Sequence, residues 1–189
     1  MNSETFYHGS HALFDLFDLS HALEGDGKVK FGYGVYVTSK YSSAAHYSGA
    51  NPSAADHYVY TVEIPRKTAT NYIAFKEPVH PVIIAAAQEK LGEAVPEKVL
   101  QDAGKEFRKY LAMKLTGQRK VTLEGEKAAR DFLLSIGVEL IEWPYSWKNP
   151  ALGANRAVLD DSKVRILKVD SVMLDDKKKL IEDSINPVR

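Results

Sequence analysis

Between Phe31 and Tyr47 two glycines, a four-residue β-prone run and a segment of small residues follow one another, and that order leaves the chain few choices. In a strand, alternate side chains face opposite ways. Val35 and Val37 therefore share one face, and Gly34, Tyr36 and Thr38 the other. Two valines suit a buried face. A tyrosine flanked by small residues suits the floor of a cleft, because its ring is left uncovered. Thr38 or Ser39 is placed to cap the helix that follows. Within that helix Tyr41, Ala44 and Ala45 fall at i, i+3, i+4 and should pack inward. Tyr47 follows Tyr36 by eleven residues, so a strand running out and a helix running back can bring both rings to one pocket. Two aromatic planes around a slot would receive a flat heteroaromatic ring.

The rest of the chain supplies strands, then helices, then strands. Residues 5–8 are β-prone and run into a turn at Gly9-Ser10, and residues 11–29 read as a short helix or irregular segment ending in a loop at Glu24-Gly25-Asp26-Gly27. The clearest strand is 57–64, where Tyr58, Tyr60, Val62 and Ile64 alternate with His57, Val59, Thr61 and Glu63 until Pro65 ends it. Helical periodicity begins at Val82, continues through Val99, Ala103, Phe107, Tyr110 and Leu111, and stops at Gly117. A further helix from about Leu123 to Ile136 is closed by Gly137. Strands are expected at Val138–Trp143, Arg156–Leu159 and Val164–Leu174, and residues 175–189 read as a polar tail, a solvated helix or a frayed end. This order indicates α+β, with a helical insertion at about 80–136 inside a single domain over 1–174.

Composition narrows the function classes. Lys plus Arg equals Asp plus Glu at 25 each, which is not the basic excess of a general nucleic-acid or membrane binder. The absence of cysteine removes disulfides, thiolate catalysis and cysteine metal sites, and the six histidines include no HExxH, so no metal site is expected. No apolar run is long enough to span a bilayer, and MNSETFYHGS lacks the basic-then-apolar order of a signal peptide. The expected location is a cytoplasm, either the producing cell's own or that of a target cell reached without such a signal. Gly32-x-Gly34 is not a dinucleotide fingerprint: it lacks the third glycine and precedes a strand instead of following one.

Taken together, Tyr7-His8-Gly9-Ser10, Gly34-Val35-Tyr36-Val37-Thr38, Tyr47 and the run Asn155 to Ile166 resemble an ADP-ribosyltransferase. The likeness is to the branch with diphtheria toxin and the poly(ADP-ribose) polymerases, and is nearest to the domain of phage polyvalent proteins and related bacterial toxins. It covers nearly the whole chain, including the helical middle. The resemblance implies an ADP-ribosyltransferase-like split β-sheet core and NAD as co-substrate. It places His8 on the adenosine-side ribose and Gly9 backbone groups, beside Ser10, on the nicotinamide carboxamide. Tyr36 and Tyr47 would sandwich the nicotinamide ring. A small polar residue that assists the carboxamide in some members aligns with Ala44, with Ser43 one place earlier. The polymerases' glutamate is replaced by Asn155, which keeps an acceptor oxygen but can neither carry charge nor take a proton. That departure argues against chain elongation and leaves Glu142 as a reserve acid. His8, Tyr36 and Asn155 are then the catalytic set of a mono-ADP-ribosyltransferase, a toxin or a phage or bacterial effector, that modifies a protein or nucleic-acid acceptor and could be held by a neutralising partner. The rival expectations are a catalytically silent module that binds NAD or ADP-ribose, and a plain α+β interaction domain.

Overall fold

A computed structural model describes residues 3–21 and 29–189 of the chain. The predicted loop at Glu24-Gly25-Asp26-Gly27 lies outside the described residues. Eight strands form one sheet in the order β4-β5-β6-β2-β1-β3-β7-β8. The strands are β1 (Ser3–Ser10), β2 (Val35–Thr38), β3 (Tyr58–Pro65), β4 (Tyr72–Ala74), β5 (Leu140–Pro144), β6 (Ala154–Val158), β7 (Arg165–Leu174) and β8 (Leu180–Pro187). Every neighbouring pair is antiparallel except β4–β5. A parallel pair needs a long crossover, and the helical insertion is that crossover. It holds α2 (Pro81–Leu91), α3 (Glu97–Gln101), α4 (Gly104–Thr116) and α5 (Leu123–Ser135), while α1 (Tyr41–Ser48) follows β2. The fold class is thus mixed α+β, with five α-helices among the described residues and a mostly antiparallel sheet.

The sheet is nearly two sheets. The outer pairs are well registered, with eight residue pairs between β1 and β3 and four between β2 and β6. Between β1 and β2 only Tyr7 and Thr38 are paired. Beyond that contact the two halves part.

Each face is covered differently. On one, Phe6, Val35, Val37, Tyr60, Val62 and Val158 pack under Phe14, Phe17, Leu19 and Tyr33 from the connecting segment. On the other, α1 lays Ala44 and Ala45 on Val59 and Val172 beside Tyr7 and Tyr41. The crossover helices bury Phe107, Leu111, Ala129, Phe132 and Leu133 against Ile73, Ile141, Trp143 and Ala157 further along that face. Burial of this kind yields about 25 cal/mol per Å² of apolar surface.

Several expectations need correction. The stretch after Asp175 is not a tail: β8 pairs with β7, and the turn between them is tied by Asp175 Oδ1, which accepts from the Lys177 and Lys179 amides. Gly9 and Ser10 extend β1 instead of turning, paired with Val59 and Tyr58. The helical run predicted from Val82 to Gly117 is three helices, α2, α3 and α4, broken where Gly92 is left-handed and again where Asp102 and Ala103 are extended. Neither Thr38 nor Ser39 caps α1. Lys40 occupies the cap position without a side-chain bond, and the Ser39 hydroxyl instead accepts from the Ala154 amide at 3.0 Å.

Candidate functional site

His8, Gly9 and Tyr36 lie where β1 and β2 part. Extending the Tyr7–Thr38 register brings Gly9 opposite Tyr36 across the opening. His8 Nδ1 lies 2.7 Å from the Tyr36 carbonyl oxygen, so the imidazole spans the gap. A carbonyl only accepts, hence Nδ1 carries the proton and donates, leaving Nε2 as the acceptor of the neutral ring. Burial pulls the His8 pKa below the ordinary histidine value, against the opposing pull of the Tyr36 carbonyl. The ring is therefore held neutral in a fixed tautomer.

A cage of aromatics fixes that ring. Phe17, Tyr60 and Phe14 stand edge-on to it at centroid distances of 5.0, 6.1 and 6.2 Å. Tyr60 is fully buried and clasps the connecting segment: its hydroxyl donates to the Ala12 carbonyl and accepts from the Phe14 amide, each at 2.9 Å. Phe14 stacks on Tyr60 at 4.4 Å. The sequence carried a signal for this cage, since Phe14 and Phe17 recur in Leu13-Phe14-Asp15-Leu16-Phe17-Asp18-Leu19.

Tyr36 lies on the opposite face. Its hydroxyl accepts from the Phe31 amide at 2.9 Å and donates to the Gly32 carbonyl at 3.0 Å. Burial pushes the phenol up to about 12, so it stays protonated at neutral pH. Trp143 meets the Tyr36 ring edge-on at 5.4 Å and stacks flat on Phe31 at 4.0 Å. The 30–32 loop is pinned in turn by the buried Arg108, which donates to the Lys30 carbonyl and forms an ion pair with the buried Glu126. Gly32 is forced here. Its φ is +110°, and a Cβ would stand 2.6 Å from Ile141 Cδ1. The sequence reading missed Phe31, Arg108 and Glu126.

Asn155 shares the Tyr36 face. It pairs across the sheet with Thr38 and with Trp143, and it is 5 % exposed. Its Oδ1 is buried with no hydrogen-bond partner. An orphaned buried acceptor costs about 1–3 kcal/mol, so the position is costly unless something else supplies a donor. The other buried oxygen without a hydrogen bond, Asp170 Oδ1, differs because Lys168 Nζ lies 2.9 Å away.

Gly9 is also on this face, pressed against α1: a Cβ there would stand 1.8 Å from the Ala44 carbonyl oxygen. Ser43 is buried beside it in α1, and Tyr47 is 55 % exposed at the helix end. The Tyr36 ring contacts Phe31 and Trp143, and the Tyr47 ring contacts His46. Ser10 sits at the rim, where its hydroxyl accepts from the Ala12 amide. The structure thus puts Gly9, Tyr36 and Asn155 on one face of the sheet, with α1 laid over Gly9, and His8 on the other face, in contact with Tyr36 through the main chain; the expected pairing of the Tyr36 and Tyr47 rings is not among its ring contacts.

Glu142 cannot be the reserve acid. It projects from the face opposite Trp143 and Asn155, beside Arg156, and its two oxygens are engaged by Lys67 Nζ at 2.7 Å and Arg156 Nε at 2.8 Å. Two surface cavities, about 630 and 460 Å³, lie elsewhere, one beside β4 and α2 and one near Glu63 and Arg165. No group of three or more His, Asp or Glu among the described residues could hold a metal ion. Nor is any helix among them long and apolar enough to cross a membrane. No family model matches the chain, and no curated protein matches it.

Proposed function

We propose that this chain is a mono-ADP-ribosyltransferase that takes NAD into the opening between β1 and β2 and releases nicotinamide. One observation carries the reading: the nearly split sheet, with His8 reaching the Tyr36 carbonyl across the place where the halves part. The arrangement is what an ADP-ribosyltransferase-like core would need. The Nε2 of His8 is an acceptor of fixed orientation, suited to a ribose hydroxyl. Main-chain groups of Gly9 would clamp the planar carboxamide. The unpartnered Asn155 oxygen would accept from a hydroxyl of the nicotinamide-side ribose. Tyr36 would give the nicotinamide a ring wall, with Tyr47 closing from α1.

In the reaction the bond between the nicotinamide nitrogen and ribose C1′ breaks and nicotinamide leaves with the electron pair. The acceptor's nucleophile bonds to C1′ and its proton passes to solvent. The protein's part is to hold the reactants and to steer developing positive charge on the ribose. Purified protein incubated with labelled NAD should release nicotinamide or transfer label to a macromolecule. His8→Ala and Tyr36→Ala should each abolish the signal, and full activity in both variants would overturn the assignment.

The second reading, a catalytically silent binder of NAD or ADP-ribose, is favoured by a specific observation. Asn155 stands where an acid is expected, and Glu142 is spent on Lys67 and Arg156. A thermal shift with NAD and no turnover in host lysate would select it, especially if Asn155→Glu gained NAD hydrolysis.

A further inference from the structure

The surface beside Tyr36 combines exposed rings with lysines. A continuous run of rings leads outward from the candidate site: Tyr36, Trp143, Phe31, Phe75 and Trp147, with successive centroids 5.4, 4.0, 4.7 and 6.3 Å apart. The run ends in solvent, with Trp147 45 % exposed and Tyr145 43 % exposed on the β5–β6 loop. Lysines stand over these rings. Lys76 Nζ is 4.0 Å from the Trp147 centroid, Lys40 Nζ 4.6 Å from Tyr145, and Lys30 Nζ 5.4 Å from Phe31.

None of Lys30, Lys40 and Lys76 has a carboxylate partner among the described residues. The segments that build the surface, 29–40 and 144–153, contain no Asp or Glu. Glu77 follows Lys76 but belongs to the cavity beside α2, and Glu106 is engaged by Lys105 and Lys109. Positive charge is therefore concentrated on exposed aromatic faces next to the site. Stacking rings interleaved with cations are the pattern that holds single strands, whose bases are unpaired and whose backbone is a line of phosphates. A duplex hides its bases, and an acidic peptide offers charge without flat rings.

We propose that this lysine-capped aromatic face binds single-stranded nucleic acid and presents it as the acceptor. The inference rests on the reading of the opening as an ADP-ribosyltransferase site. A base nitrogen or hydroxyl of the strand would form the new bond to ribose C1′, nicotinamide would leave, and the displaced proton would go to solvent.

The test is fluorescence anisotropy of the full chain with a labelled single strand of about 12 nucleotides, its duplex, and polyglutamate of matched charge. The single strand should bind at least ~10-fold more tightly than either control, with Trp147 emission quenched by stacking. Trp147→Ala should weaken it ~10-fold and Trp147→Phe should restore most of the loss. Lys40→Ala and Lys76→Ala should each flatten the salt dependence by ~0.7 in the log–log slope. Polyglutamate binding as well as the strand, or Trp147→Ala leaving affinity unchanged, overturns the inference. Nicotinamide release by a protein that binds no strand also overturns it, and leaves the reading of the opening intact. Strand binding by a protein that neither binds nor cleaves NAD keeps the surface and removes the chemistry assigned to the opening.

Discussion

Gly9→Ala is the sharpest test of how the site is built. Gly9 has no unusual φ, so its need for glycine is spatial and not conformational. An added Cβ would stand 1.8 Å from the Ala44 carbonyl oxygen, 2.7 Å from its carbon and 2.8 Å from the Ser48 nitrogen. All three atoms belong to the backbone of α1, so no side chain can swing aside. Restoring ordinary contact requires α1 to lift by about 1.6 Å. That movement unpacks Ala44 and Ala45 from Val59 and Val172, the whole buried cluster under the helix. Overpacking of a well-filled core costs about 1–3 kcal/mol, and a clash with rigid backbone belongs at the upper end, about 3 kcal/mol. The assay is urea unfolding, in which the midpoint should fall while the slope stays constant. Gly92→Ala is the control. There φ is +70° with nothing within 4 Å, so only the left-handed conformation is penalised, by about 1 kcal/mol. If Gly9→Ala costs no more than Gly92→Ala, close packing of β1 against α1 is not what the glycine is for. Because α1 also carries Ser43 and Tyr47, nicotinamide release should fall together with stability.

Other perturbations probe the site's charged and polar groups. The folded-state pKa of His8 is lowered, so the unfolded chain takes up a proton that the native ring resists. Stability should be fully present above the ordinary histidine value of 6.5 and decline as pH falls from there toward the native pKa. In His8→Gln that part of the decline should vanish, and an unchanged pH profile would show that the ring titrates freely. Arg108→Met strands a buried carboxylate and should cost about 3–5 kcal/mol, whereas Arg108→Met with Glu126→Leu should recover most of it. Burial already raises the Glu126 pKa, so the single variant's deficit should deepen as pH rises through the carboxylate range; a flat denaturation profile would count against the buried pair. Asn155→Leu removes an unpartnered oxygen and should raise stability by about 1 kcal/mol in urea while abolishing NAD binding. A loss of stability instead would mean that the amide is already satisfied.

What the sequence disclosed followed from local physics. The alternation of residues 57–64 is visible because β3 lies inside the sheet, and Gly117, left-handed at φ +66°, marks the end of α4 as glycine does in many helices. β8 was hidden because an edge strand need bury little: Glu182 and Asp183 can point into solvent, and the neighbouring lysines read as a tail. β4, three residues long, is recognisable only through its partner β5, sixty-eight positions away in register. The break between α3 and α4 is likewise tertiary. A Cβ on Gly104 would stand 2.3 Å from the Ala74 carbonyl, so α4 begins where it can meet β4.

The site divides along the same line. His8, Gly9, Tyr36 and Asn155 each sit in a short local motif, and the fold sets Gly9, Tyr36 and Asn155 on one face of the sheet and His8 on the other, bonded to the Tyr36 carbonyl. The groups that hold them sit in no such motif. Arg108 and Glu126 are eighteen residues apart, a distance at which no single helix pairs side chains, and they meet only because α4 packs on α5. Trp143 ends the strand expected at Val138–Trp143, two and four positions before Tyr145 and Trp147. Strand periodicity separates it from them: Trp143 still belongs to β5 and turns inward to stack on Phe31, while Tyr145 and Trp147 lie beyond the strand's last residue, Pro144, and face solvent. One aromatic stretch thus serves both as the wall behind Tyr36 and as the surface an acceptor would meet, which couples the two. A substitution at Trp143 should disturb Tyr36 and Phe31 together, whereas Trp147 can be changed without moving either.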